Sequence, residues 1–279
     1  MRRNFDGLNF LKKLSGRSVM FVGDSISQDH WTSLACILTK QVPQAKYTLT
    51  MPTNDIKMLT FTEYGVKIMV NWNQYLVDIV NDKKGRIIKI DSVELNAQLW
   101  EDVDILIFNS FHWWSRKSWD YVQVGNQLVQ DVDAMTLFEK ALDTWALWAE
   151  KIDPSRKKIF FQGISPTHYN SSEWNEPKAN GCLGQTTPIP GMTYPGGDPF
   201  SLTVMKRALR SVLEKKTVTL LDITELSQLR KDGHPSIYGQ NGASRSDCLH
   251  WCLGGVPDTW NEILYALIFP KSGMDPGYY

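Results

Sequence analysis

One stretch constrains the fold more than any other: Val19-Met20-Phe21-Val22-Gly23-Asp24-Ser25-Ile26-Ser27. Ser18 to Val22 is apolar almost throughout, with aromatic and β-branched side chains. That is the mark of a strand buried on both faces of a parallel sheet. Gly23 permits a sharp turn. From Ile26 to Lys40, Trp31, Leu34, Ala35 and Leu38 recur at helical spacing. Strand, turn and helix together put the Ser25 hydroxyl at the carboxyl edge of a sheet and at a helix N-terminus. Open α/β sheets bind ligands at that edge, and the helix dipole favours negative charge there. A serine that attacks an ester needs both. The other role open to Asp24 and Ser25 is simply to cap the helix.

Further strands are read at Asp104–Asn109, Lys158–Gln162 and Thr217–Ile223, with Phe61–Tyr64 and Val66–Val70 flanking Gly65. Helices are predicted at Met135–Lys151, through Leu202, Met205, Leu209 and Val212, and through Trp260, Leu264 and Ile268. Asp198-Pro199 and Asp258 read as their starts. Phe5–Leu14 is a short amphipathic lead-in. Tyr47–Asn54 reads as an edge strand or irregular loop, and Asp78–Leu95 as a charged loop with a strand near Arg86–Ile90. Two long loops, Ile164–Pro199 and Leu226–Ser246, exceed the usual connection length; such loops are functional or disordered. Alternating strands and helices predict an α/β fold, with a central, mostly parallel sheet covered on both faces. The expected organisation is one domain over residues 1–270 and a flexible tail at 271–279.

Composition excludes several classes. The 279 residues carry 30 basic and 30 acidic side chains, so nothing marks an electrostatic nucleic-acid binder. No apolar run approaches the roughly 18 residues of a membrane helix, and no apolar signal-peptide segment follows Met1. The segment itself is therefore expected to make no membrane contact. Eleven Trp residues suit a carbohydrate surface, or the core. Of the four cysteines, Cys248 and Cys252 lack zinc spacing, so disulfides or free thiols are expected and no metal site. Asn170-Ser171-Ser172 is a glycosylation acceptor pattern.

A nucleophilic Ser25 needs a base, and the base needs an orienting carboxylate. Of five histidines, His30 reads as packing or surface, His112 follows a strand among aromatics, and His168 lies in the first long loop. Two offer a local acid: Asp232/His234 and Asp247/His250. The Asp-x-x-His spacing of the second lets one turn aim both side chains the same way, just before the last helix. The first reads as a loop-locking hydrogen bond.

Gly23-Asp24-Ser25 together with Asp247-Cys248-Leu249-His250-Trp251-Cys252 resembles the trichome-birefringence-like polysaccharide O-acetyltransferases of plants, within the broader GDSL/SGNH hydrolase-like (PC-esterase) group. Phe108-Asn109-Ser110-Phe111-His112-Trp113-Trp114, Ser165-Pro166-Thr167-His168 and Gly255-Val256-Pro257-Asp258-Thr259-Trp260-Asn261 extend the likeness from about Phe5 to Phe269. The resemblance implies an SGNH-like three-layer α/β/α sandwich with long loops on the catalytic face. It implies Ser25 as nucleophile, His250 as base and Asp247 as its partner. Asn109 would hold the oxyanion with the Ser25 backbone N–H; its other role is that of a strand-end residue satisfying loop backbone. His112, Trp113 and Trp114 would contact substrate, with core packing the rival role for one of the two Trp. By the same likeness Cys182 pairs with Cys248. Family members begin with a membrane anchor and a Cys-rich segment that this chain lacks, which suggests a truncated form; Cys36 and Cys252 would then lack their partners. The implied location of the full-length form is the Golgi lumen.

The resulting expectation is an acetyltransferase that forms an acetyl-serine and passes the acetyl group to a hydroxyl of a cell-wall polysaccharide of the xylan or pectin class. No cofactor is expected; a small acetyl donor is the co-substrate. Two alternatives use the same residues differently: an acetyl-esterase with water as acceptor, and a polysaccharide-binding protein without catalysis.

Overall fold

The computed structural model describes residues 5–239 and 246–270; the expected tail at 271–279 and part of the second long loop lie outside them. The strands are β1 Ser18–Gly23, β2 Tyr47–Thr53, β3 Ile56–Phe61, β4 Val66–Trp72, β5 Asp78–Asp82, β6 Gly85–Lys89, β7 Ile105–Phe108, β8 Tyr121–Val124, β9 Gln127–Val129, β10 Lys158–Gln162 and β11 Thr219–Leu221. The helices are α1 Gly7–Lys13, α2 Ser25–Gln41, α3 Glu94–Trp100, α4 Ala134–Ala149, α5 Phe200–Ala208, α6 Arg210–Glu214, α7 Thr224–Gln228 and α8 Val256–Ile268.

Seven strands form the main sheet in the order β11-β10-β7-β1-β4-β3-β2. Pairing is parallel from β11 through β4 and antiparallel for β4–β3 and β3–β2. The unbroken apolar character of β1 has a direct consequence. Val19 and Phe21 enter a core shared with the α1, α2 and α8 side. Met20 and Val22 enter the opposite core, shared with α4 and α5. Alternate residues of one strand thus serve two cores, which makes the fold a three-layer α/β/α sandwich.

Several elements differ from the sequence reading. Asp78–Leu95 is not mainly loop: β5 and β6 form a hairpin, joined by β8 and β9 into a second, four-stranded sheet. These strands are short and half-exposed, so their periodicity is weak. The helix through Leu202 and Val212 breaks at Leu209 into α5 and α6. Asp198 does not cap it; Pro199 holds that position and makes no side-chain cap bond. Helix α8 begins at Val256, so Asp258 lies inside the first turn, where it accepts from Ser33 Oγ at 2.5 Å. Among the described residues no helix is long and apolar enough to cross a membrane.

Candidate active site

The site begins at the β1–α2 turn. A Cβ on Gly23 would come within 2.4 Å of Ser27 Oγ and 2.5 Å of the Asn109 carbonyl, so only glycine fits between β7 and α2. Asp24 alone caps the helix, with Ser25 already inside it: the Asp24 Oδ1 accepts from the Ile26 N–H at 2.9 Å. Ser25, the next residue, is partly exposed at the sheet's carboxyl edge.

The far end of the chain meets it there. His250 Nε2 lies 2.8 Å from Ser25 Oγ, and His250 Nδ1 lies 2.8 Å from Asp247 Oδ2. Asp247 Oδ1 accepts from the backbone N–H groups of Leu249 and His250. Burial alone would raise the Asp247 carboxyl. The hydrogen bonds from the His250 backbone and ring, with the His250 charge and the Leu249 N–H, outweigh it and hold the carboxyl below its usual range. The result is a hydroxyl, an imidazole and an ionised carboxylate in series, the arrangement that draws a proton from a nucleophile.

Three supports fix this loop. Cys182 and Cys248 form a disulfide that ties the first long loop to the residue after Asp247. Ser236 and Asp247 exchange backbone hydrogen bonds of 3.0 Å. The His234 Nδ1–H donates to the His250 carbonyl at 2.7 Å, and the His234 ring stacks on Trp251. The sequence reading of a local Asp232/His234 bond is therefore replaced. Asp232 pairs with Arg230, and His234 Nε2 faces His168 Nδ1 at 2.6 Å. His168 Nε2–H in turn donates to the Gln228 carbonyl. Burial pushes both histidines down. With both rings neutral, their two protons go to the His250 and Gln228 carbonyls, so the two facing nitrogens hold none between them.

Asn109 is buried. Its Nδ2 donates one hydrogen to Asp24 Oδ1 at 2.8 Å, and the other has no partner among the described residues. Asp24 is fully buried with Oδ2 unpartnered, and burial pushes its carboxyl up. His112 Nε2–H donates to the Ser165 carbonyl at 2.9 Å, so this nitrogen anchors the first long loop. Trp114 is a correction. It is 2% exposed, its Nε1–H donates to Ser110 Oγ, and it packs on Tyr75, Trp119 and Phe138, so it belongs to the core and presents no face to a sugar. Trp113 is half-exposed, meets Trp72 edge-on and carries the Arg116 guanidinium over its ring. Asn170 is exposed, and its side chain accepts from the Ser172 N–H.

His30 is fully buried, its Nδ1 bonded to Gln162 Oε1. Asp29 went unread in the sequence. It lies one helical turn beyond Ser25, and its carboxylate accepts from the Trp251 N–H. Its i+4 spacing from Ser25 was the available signal.

Residues 3–267 match the PC-Esterase family, described as the GDSL/SGNH-like acyl-esterase family found in Pmr5 and Cas1p. Similar curated proteins include trichome birefringence-like 41 of Arabidopsis thaliana, 51% identical over 94% of this chain and 74% of its own length. Trichome birefringence-like 38 of the same plant is 49% identical over 95% of this chain and 69% of its own length. A solved structure, the periplasmic domain of the lipopolysaccharide acetyltransferase of Salmonella ser. Paratyphi A, aligns with a TM-score of 0.46 at 15% identity, covering 94% of this chain and 88% of that one.

Proposed function

The chain belongs to the PC-esterase family of GDSL/SGNH-like acyl-esterases, and from that premise we propose that it is a serine-dependent O-acetyltransferase acting on hydroxyls of a plant cell-wall polysaccharide. Ser25 Oγ attacks the carbonyl of a small acetyl donor while His250 Nε2 takes its proton. The tetrahedral oxyanion meets the Ser25 backbone N–H and the uncommitted hydrogen of Asn109 Nδ2. Each such donor acts on charge present only in the transition state and is worth roughly 3 kcal/mol. The leaving group departs with the proton held by His250, leaving an acetyl-serine. A sugar hydroxyl then gives its proton to His250 and attacks the acetyl carbon; the acetyl–Oγ bond breaks, and Ser25 Oγ takes the proton back from His250, which regenerates both residues. Asp247 stays ionised throughout and orients the ring. Trp113 offers its exposed face to the sugar. We assign the reaction to the Golgi lumen, where the disulfide and a glycan on Asn170 are compatible with the compartment.

The observation that carries this reading is the pair of 2.8 Å contacts linking Ser25, His250 and Asp247. The experiment is incubation with isotopically labelled acetyl donor and a panel of oligosaccharides, read by product mass. Acetylated sugar from the native chain and none from Ser25→Ala is the expected result. Equal product from both would remove Ser25 from the reaction.

Hydrolysis is the second reading, favoured by the family's description as acyl-esterases. It uses the same three residues with water in place of the sugar hydroxyl. Free acetate without acetylated sugar in the same assay selects it.

A further inference from the structure

One strand away from Ser25 the sheet edge opens into a second recess. Strand β4 ends at Trp72, in register with Gly23, and the Asn73 N–H donates to the Gly23 carbonyl at 2.7 Å. The chain then crosses to the small sheet. The segment after Trp72 forms one wall and the β5–β6 hairpin the other, enclosing a cavity of about 520 Å³. Small-ligand clefts span roughly 300–1,000 Å³.

The lining is polar, with one aromatic flank. Asn81 and Arg86 pair directly across the hairpin, so their side chains share one face, and both line the cavity. No carboxylate lies within 4 Å of the Arg86 guanidinium among the described residues. Asn73 Oδ1 is taken by the Leu76 N–H, which leaves its Nδ2 as a donor. Trp72 supplies the flat apolar surface and continues edge-on into Trp113, which carries Arg116. The acidic lining residue, Asp55, comes from the turn before β3; its carbonyl accepts from the Trp72 N–H, and its carboxylate lies beyond 4 Å from the Arg86 guanidinium.

An aromatic flank and amide donors suit a sugar ring. An unpaired guanidinium facing them is left without a partner by a neutral sugar and satisfied by a carboxylated one. We propose that this cavity is a subsite for a uronate unit of the acceptor glycan, with Arg86 pairing its carboxylate, Trp72 taking its ring face, and Asn73 and Asn81 its hydroxyls. The proposal rests on the acceptor reading of the Ser25 site and gives that acceptor its charge.

The test is binding without turnover, by calorimetry at low and high salt. The probes are an oligogalacturonide, a glucuronate-branched xylo-oligosaccharide and a neutral xylo-oligosaccharide of equal length. At least one uronate probe should bind about tenfold or more tighter than the neutral one, and salt should erode that margin. The tighter of the two identifies the source of the uronate. Arg86→Gln should bring uronate binding to the neutral level, and Arg86→Lys should retain part of the preference. Labelling of Ser25 by a serine-directed probe should persist in both variants, which verifies their fold. Equal affinity for neutral and uronate probes, or native-like uronate binding by Arg86→Gln, overturns the proposal. Ser25→Ala leaves the cavity untouched. Uronate binding that survives while Ser25→Ala retains full activity would overturn the catalytic reading and leave the subsite standing.

Discussion

The Trp251 backbone N–H donates to the Asp29 carboxylate at 3.2 Å, across 222 positions of sequence. This bond fastens the loop that carries Asp247 and His250 onto the helix that begins at Ser25. It also places a second carboxylate beside the candidate base. Burial, with the like charges of Asp247 and Asp24, raises the Asp29 carboxyl to about 6, against the Trp251 N–H and the His250 charge. Above that pH an ionised Asp29 favours the imidazolium that forms at His250 during the reaction. Asp29→Asn keeps an acceptor for the N–H and removes the charge. Its kcat/KM profile should show a rate about 3- to 10-fold lower near pH 7, the loss shrinking below about pH 6, where Asp29 of the native chain is itself protonated. An unchanged profile would restrict Asp29 to holding the loop.

Asp247→Asn tests the orienting carboxylate. The asparagine can still reach the His250 ring but cannot hold the imidazolium. The expected loss in kcat/KM is about 10³- to 10⁴-fold, with Ser25→Ala at least as damaging. Steady-state kinetics on a chromogenic acetyl ester measures both. A loss below tenfold for Asp247→Asn would count against its assigned role.

The disulfide closes a separation of 66 positions and sits beside Asp247. Loop-closure entropy makes such a link worth about 4 kcal/mol. Cys182→Ser combined with Cys248→Ser should lower unfolding stability by that order and slow catalysis by loosening the Asp247 loop. Denaturant titration and kinetics on the same preparation measure both. Cys36 and Cys252 are free and exposed, so replacing them should change neither.

His30 should make the fold acid-sensitive. Its burial lowers it to about 4, against hydrogen bonds from Gln162 and Asn261. An unfolded histidine titrates near 6.5. The unfolded chain therefore binds the proton first as pH falls, so stability is full above about 6.5 and is lost toward 4, by about 3 kcal/mol. Asp29, raised in the fold, acts with opposite sign over nearly the same window and masks the total. The informative quantity is the difference between the native chain and His30→Gln. Urea titrations at pH 7, 5.5 and 4 should show that difference moving toward the variant on acidification; a constant difference refutes it.

The parallel strands β1, β4, β7 and β10 and the long helices were legible because their apolar character is local and strong; β3 was not, and it runs over Ile56–Phe61 where the sequence suggested Phe61–Tyr64. The small sheet was not, because β5, β6, β8 and β9 are short and partly exposed, which blurs the alternation. Asp247 and His250 were legible as a pair because three positions separate them. The choice between Trp113 and Trp114 was open in sequence. The structure shows which one packs in the core: the Trp114 ring turns in beneath Tyr75 while Trp113 stays at the rim beside Trp72.

By itself, the amino-acid order determined the local units: a doubly buried strand, a glycine that admits no Cβ, a capped helix with serine at its start, and an acid three places before a histidine. Only the tertiary structure decided which of these units meet. Ser25 and His250 stand 225 positions apart, and no local rule acts over that distance. Their 2.8 Å contact exists because β1 is central in the sheet, α8 packs against α2, and the disulfide and the Asp29 carboxylate draw the preceding loop onto the same edge. The same assembly turned Trp114 inward, gave Asp29 a partner, and left the Arg86 guanidinium lining a cavity with no carboxylate within 4 Å of it among the described residues.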